Sequence, residues 1–134
     1  MRTDPRNLGA RCDVCPLGPN GCMSEDEWSP VPAELHDSNV LAVIESPGPE
    51  EVQHGRPLVG RGGTEWQTAL SAIGKRRPDV DIASVIECRP PGQESGAWSR
   101  MEKKLDQINK KRVAEGETPH PHPMACCRPR LLEI

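Results

Sequence analysis

The chain has 134 residues, enough for one domain with a modest core. Phe and Tyr are absent and there are only three Trp, so that core must rest on Leu, Ile, Val and Ala, with limited intrinsic stability or help from a metal centre or a partner. A formal net charge of −3 excludes the molecule as a whole from acting as a polycation, so any contact with phosphate must come from local basic clusters.

The first segment, Met1-Arg-Thr-Asp-Pro-Arg6, lacks an apolar core of the signal-peptide type, and no stretch approaches the length of a membrane span. The expectation is a soluble, cytoplasmic protein. Six cysteines in a reducing compartment point to metal ligation or redox chemistry more than to disulfides. Cys12-Asp-Val-Cys15 has the spacing by which two thiolates grip one metal ion or one cluster edge. Cys88 and the Cys126-Cys127 pair are the distant thiols that could close such a site. An iron–sulfur cluster tolerates this dispersal better than a zinc ribbon, which prefers a second closely spaced pair. Cys22 is the spare.

Residues 39–45, Asn-Val-Leu-Ala-Val-Ile-Glu, form a short apolar run rich in branched residues, which predicts a strand buried on both faces. It breaks at Glu45-Ser-Pro-Gly48 into Pro/Gly-rich sequence that runs on through Gly55-Arg-Pro-Leu-Val-Gly-Arg-Gly-Gly63. Thr64-Glu-Trp-Gln67 has capping-box spacing, and Trp66, Ala69, Leu70 and Ile73 recur at helical intervals before Gly74 offers a stop. Asp81 to Glu87 repeats the strand pattern, so residues 39–87 read as a βαβ unit with parallel strands. Ligands bind beyond the carboxyl ends of such strands, where Glu45 and Glu87-Cys88 fall. Residues 89–98 read as a loop. Ser99-Arg-Met-Glu102 is a second capping box, opening a helix with Met101, Leu105 and Ile108 on one stripe and Gly116 as its stop. Its other faces carry Arg100, Lys103, Lys104, Lys110, Lys111 and Arg112, read as a solvated surface in preference to a phosphate-binding one. Glu117 to Pro123 is an extended, Pro-punctuated connector.

Taken together and in order, several motifs resemble those of the iron–sulfur uracil-DNA glycosylases, the family-four type of the uracil-DNA glycosylase superfamily. Cys12-x-x-Cys15-Pro-Leu resembles the N-terminal cluster ligands, and Glu45-Ser-Pro-Gly48 the Gly-Glu-Ala-Pro-Gly loop. Gly55-Arg-Pro-Leu-Val-Gly60 resembles Gly-Arg-Pro-Phe-Val-Gly, Glu87-Cys-Arg-Pro-Pro91 the Lys-Cys-Arg-Pro-Pro segment, and Cys127-Arg-Pro-Arg-Leu131 the segment around the fourth ligand.

The resemblance implies an α/β fold, three-layer α/β/α with a short parallel sheet, as one uracil-DNA glycosylase-like domain over residues 1–134 that is incomplete at the C-terminus. It implies a [4Fe-4S] cluster on Cys12, Cys15, Cys88 and Cys127, and hydrolysis of the N-glycosidic bond of uracil in DNA. Glu45 becomes the candidate catalytic residue, organising water. Ser46, Pro47, Gly48, Leu58 and Ser84 become candidates for contact with uracil or DNA, with Arg56, Arg61 and Arg89 as phosphate contacts.

Departures from the family pattern carry consequences. Leu58 stands where the family stacks a Phe on uracil, and Ser84 where an Asn reads the base edge. The family's closing His-Pro-Ser type motif falls after the fourth cysteine and has no match before Ile134. His120 and His122 precede that cysteine and read as parts of the connector. The expectation is weak or absent glycosylase activity for this chain alone. The rival reading is a catalytically silent iron–sulfur DNA-binding module of a replication or repair assembly.

Overall fold

The computed structural model describes residues 4–24, 27–92 and 96–134. The loop expected at 89–98 therefore falls in part, at 93–95, outside the described residues. The first element is a 3₁₀ turn at Pro5–Leu8, capped by the Asp4 carboxylate on Arg6 N–H and ended by Gly9 at φ +93°.

Strand β1 (Leu41–Ile44) and strand β2 (Asp81–Ser84) pair in parallel, with Leu41 opposite Asp81 and Ile44 opposite Ser84. The pairing continues past both strands, because Val85 N–H donates to Ile44 O at 2.7 Å and Ile86 N–H to Glu45 O at 3.3 Å. On the opposite edge of β2, Glu34 and Ile82 exchange both backbone hydrogen bonds, at 2.8 and 2.9 Å, in an antiparallel bridge. β2 is thus central, and each of its residues is buried. β1 has no such cover: Leu41 and Val43 are exposed, which corrects the expectation of a first strand buried on both faces. The apolar run signalled a strand, but burial on both faces depends on neighbours that the run cannot specify.

The segment read as irregular between Gly48 and Gly63 holds a short helix, α1 (Pro49–His54), with Pro at its first position and Gly55 at φ +70° closing it. Helix α2 (Arg61–Ala72) starts at Gly60, not at the capping box of Thr64. The reason is the Glu51 carboxylate, which takes up Val59 N–H and Gly60 N–H and fixes the chain entering the helix one turn earlier. Gly63 also has to be glycine here, since a Cβ would lie 2.1 Å from Leu58 O. Gly74 ends α2 at φ +73°, as its sequence position suggests.

Helix α3 (Ala97–Ala114) is capped by Gly96, three residues before the expected cap Ser99, and Met101 and Leu105 are its buried stripe. Helix α4 (Pro123–Leu131), not foreseen from sequence, carries Cys126, Cys127 and Arg130 inward despite Pro129 within it. Pro129, the seventh residue of α4, gives up the amide that would otherwise meet Ala125 O, a cost that the inward packing of the helix has to offset. α4 packs against the 3₁₀ turn, and Arg11 N–H donates to Cys126 O at 2.8 Å. The core consists of Leu17, Met23, Ile86, Met101, Leu105 and Cys127, with Cys15, Val85, Cys88, Trp98 and Ile108 packed against it. Methionine and cysteine fill the space that an aromatic-poor chain leaves, since both adapt to irregular gaps. The described residues form an α/β arrangement with a two-stranded parallel sheet and four α-helices. None of those helices is long and apolar enough to cross a membrane.

Candidate functional site

Two sites meet at the carboxyl end of the sheet. One is a dry cavity onto which Cys12, Cys15, Cys88, Cys126 and Cys127 all face, among Leu17, Ile86 and Pro123. Three separate stretches deliver these thiols. The first is a compact loop after the 3₁₀ turn, closed by Gly18 N–H to Cys15 O at 2.9 Å and Met23 N–H to Pro16 O at 2.9 Å. It admits no side chain at Gly18, where a Cβ would meet Cys12 O at 1.9 Å, nor at Gly21, where it would meet Pro16 O at 2.1 Å. The second is the continuation of β2 through Ile86 and Glu87 to Cys88, and the third is α4. Cys22 lies apart and exposed, as a spare.

Burial governs the chemistry of these thiols. It pushes Cys12 up to about 11, with the neighbouring Cys127 adding to the rise, and Cys88 up to about 12 for the same pair of reasons. Cys15 and Cys126 are also raised by burial, and the two sulfurs hydrogen-bond each other. Thiolates gathered in a dry site would repel one another and lack water, a cost that a bound cationic centre would offset. Among the described residues, no three His, Cys, Asp or Glu side chains are placed to hold a single metal ion. The five cysteines line one cavity instead.

The second site is an open hollow of about 390 Å³ lined by Glu45, Ser46, Pro47, Gly48 and Arg89, faced by Trp98 from the start of α3. Cys88 and Arg89 are consecutive, so the thiol cavity and the hollow share one turn of chain. Leu58 and Ser84 do not line the hollow. Ser84 is buried at the end of β2, where its carbonyl accepts from Arg130. Leu58 sits at φ +49°, a left-handed conformation unusual for a branched side chain. Of the three arginines expected at phosphate, Arg56 ion-pairs with Glu34 at 2.7 Å and Arg89 donates to Gly92 O at 2.7 Å, while Arg61 is exposed at the first turn of α2. His122 caps α4 through Met124 N–H and meets Glu102 at 3.0 Å, in keeping with a connector role.

Two carboxylates missing from the sequence reading hold this region together. Glu51 accepts from Gly48 N–H at 2.9 Å, Val59 N–H at 3.0 Å and Gly60 N–H at 2.8 Å, joining the Glu45–Gly48 loop to the start of α2. Burial acts to raise its pKa, and the three amides overcome that and leave it below the ordinary value. Glu34 binds Arg77 at 2.8 Å as well as Arg56; burial opposes ionisation, but the two guanidiniums and His36 bring it down to about 2. Arg77 in turn donates to Leu58 O at 2.6 Å and to Pro57 O, which holds Leu58 in its left-handed turn. Nothing local marks these partners, since Glu34 and Arg77 are separated by 43 positions. Trp98 had one available signal, its rarity in a chain of three aromatics.

No family model matches the chain. It is similar to type-4 uracil-DNA glycosylases from several prokaryotes. Identity is 40% over 85 residues with that of Pyrobaculum aerophilum, covering 63% of this chain and 40% of the relative. It is 38% over 86 residues with that of Thermotoga maritima, covering 63% and 42%. With that of Archaeoglobus fulgidus it is 34% over 89 residues, covering 66% and 43%. The chain spans about two fifths of the length of these curated relatives. At this identity the shared stretch is homologous, and the resemblance read from the motifs stands.

Proposed function

We propose, from this homology with type-4 uracil-DNA glycosylases, that the chain is an iron–sulfur uracil-DNA glycosylase-like domain over residues 1–134, acting on uracil-containing DNA in base-excision repair in the cytoplasm. The observation that carries the reading is the meeting of Cys12, Cys15, Cys88 and Cys127 on one dry cavity, one residue away from a hollow that holds Glu45. A [4Fe-4S] cluster held there would supply a covalent cross-link between the N-terminal loop, the exit of β2 and α4. Cys126 shares the cavity and hydrogen-bonds Cys15; the Arg130 N–H donated to the Cys127 sulfur at 3.1 Å supports the reading of Cys127 as the fourth ligand.

In the hollow, Glu45 is exposed just beyond the end of β1, and its role in this reading is to hold a water against the sugar carbon of an extruded deoxyuridine. Water adds at that carbon as the bond to uracil N1 breaks, the electron pair leaves with uracil, and the water proton passes to Glu45 or solvent. Within the 46–48 loop only Ser46 offers a backbone N–H to the departing anion, since Pro47 has none and Gly48 N–H is taken by Glu51. Ser46, Pro47, Gly48 and Arg89 line the hollow, the first three as proposed uracil or DNA contacts and Arg89, with exposed Arg61 and Arg56, as proposed phosphate contacts. Leu58 and Ser84 lie outside the hollow, and this supports weak or absent glycosylase activity for the chain by itself. The second reading, a silent iron–sulfur DNA-binding module within a replication or repair assembly, is favoured by the same two residues.

The test is anaerobic purification followed by iron, sulfide and zinc analysis of wild type and Cys88→Ala. About four iron and four sulfide per chain, lost in the variant, are expected; zinc, or no metal in either protein, would overturn the assignment. A mobility-shift comparison of uracil-containing with normal DNA then separates the readings, because a module that does not read the base shows no preference.

A further inference from the structure

We propose that Arg130 is a positioning residue for the metal-binding thiols, fixing the Cys127 sulfur against the exit of β2. This rests on the iron–sulfur reading and goes beyond it. Arg130 is 0% exposed, and it is the one buried cation among the described residues. A guanidinium with no access to water is tolerated only when its donors are met by the protein.

Its partners come from one place. Nη2 donates to Ser84 O and, at 3.0 Å, to Val85 O; Nη1 stands 3.0 Å from Glu87 Oε2, at ion-pair distance but without hydrogen-bond alignment. These groups belong to the four residues that lead directly into Cys88. The remaining donor, Nε–H, points at Cys127 Sγ, 3.1 Å away and three residues earlier on α4. A neutral thiol is a poor acceptor, whereas a thiolate is a good one, so a buried N–H aimed at sulfur finds its best partner in the deprotonated, metal-binding form.

The planar fork therefore does two things at once. It locks α4 to the β2 exit, which sets the spacing between Cys88 and Cys127 before any metal arrives. It also holds an N–H donor against the Cys127 sulfur, 3.1 Å away. A residue that only stapled the helix would need the two carbonyls and no bond to sulfur.

The test compares wild type, Arg130→Gln, Arg130→Lys and Leu70→Ala, the last a core truncation in α2, away from the thiols. The readouts are iron release to a chelator, the sulfur-to-iron charge-transfer absorption and the thermal melt of each protein. Arg130→Gln should release iron at least tenfold faster than Leu70→Ala when temperatures are set equally far below each melt, and its absorption band should move. Arg130→Lys should fall between, since one ammonium cannot reach the sulfur and both carbonyls; it also carries the test if Arg130→Gln does not fold. If both Arg130 variants release iron at the Leu70→Ala rate with an unmoved band, the inference is overturned while the iron–sulfur reading survives. Wild-type protein without iron and sulfide overturns both.

Discussion

Removing the Glu51 carboxylate should unfasten the Glu45–Gly48 loop from the entry to α2. Its Oε1 takes Gly48 N–H, and its Oε2 takes both Val59 and Gly60 N–H, at 2.8–3.0 Å. Hydrogen bonds to a charged acceptor are worth about 1.5–3 kcal/mol each on deletion, but water reaches this half-buried site and replaces part of the loss. A total of about 2–4 kcal/mol for Glu51→Ala is the reasonable sum. At roughly 4 °C per kcal/mol for a chain of this size, the melting temperature should fall by about 8–16 °C. Glu51→Gln should lose about half as much, since a single amide oxygen can serve one side of the clamp while its NH₂ faces an N–H on the other. The assay is urea unfolding, with hydrogen exchange read at Gly48, Val59 and Gly60. Because the carboxyl is held below its ordinary value in the folded state, its contribution is present above that value and disappears as pH falls through the folded one. An unchanged urea midpoint in Glu51→Ala, with all three amides still protected, would refute the clamp.

Glu34→Gln should cost about 1–3 kcal/mol by unpairing Arg56 and Arg77. The folded carboxyl lies at about 2, so its contribution is complete above the ordinary value of 4.5 and lost as pH falls toward 2; wild-type and variant urea midpoints should differ at neutral pH and converge near the acid end. Gly63→Ala forces a Cβ to within 2.1 Å of Leu58 O, and the expected loss of roughly 2 kcal/mol or more should appear in thermal melts. Gly18→Ala, whose Cβ would meet Cys12 O at 1.9 Å, should open the Cys12–Cys15 loop and lower bound iron by more than it lowers helix content on circular dichroism.

The sequence by itself determined the elements whose signal is local. Branched runs marked β1 and β2, the 3.6-residue recurrence marked α2 and α3, and Gly74 and Gly116 ended them at φ +73° and +77°. Parallel pairing of two such runs then put Glu45 and Cys88 at the same end of the sheet, and the Cys12–Cys15 spacing pointed to a thiol site. Tertiary structure decided where the helices begin, because Glu51 and the glycines before α2 and α3 prevailed over the capping boxes at Thr64 and Ser99. It also decided that β2 is covered on its far edge by Glu34, that Leu58 and Ser84 stand outside the hollow which Trp98 enters, and that Arg130 reaches Cys127 and the β2 exit together. Arg130 and Ser84 lie 46 positions apart, and Arg77 and Glu34 lie 43 apart. A periodic pattern reports which face of a segment is apolar, but the partner of a buried charge is set by which distant segments the fold brings into contact.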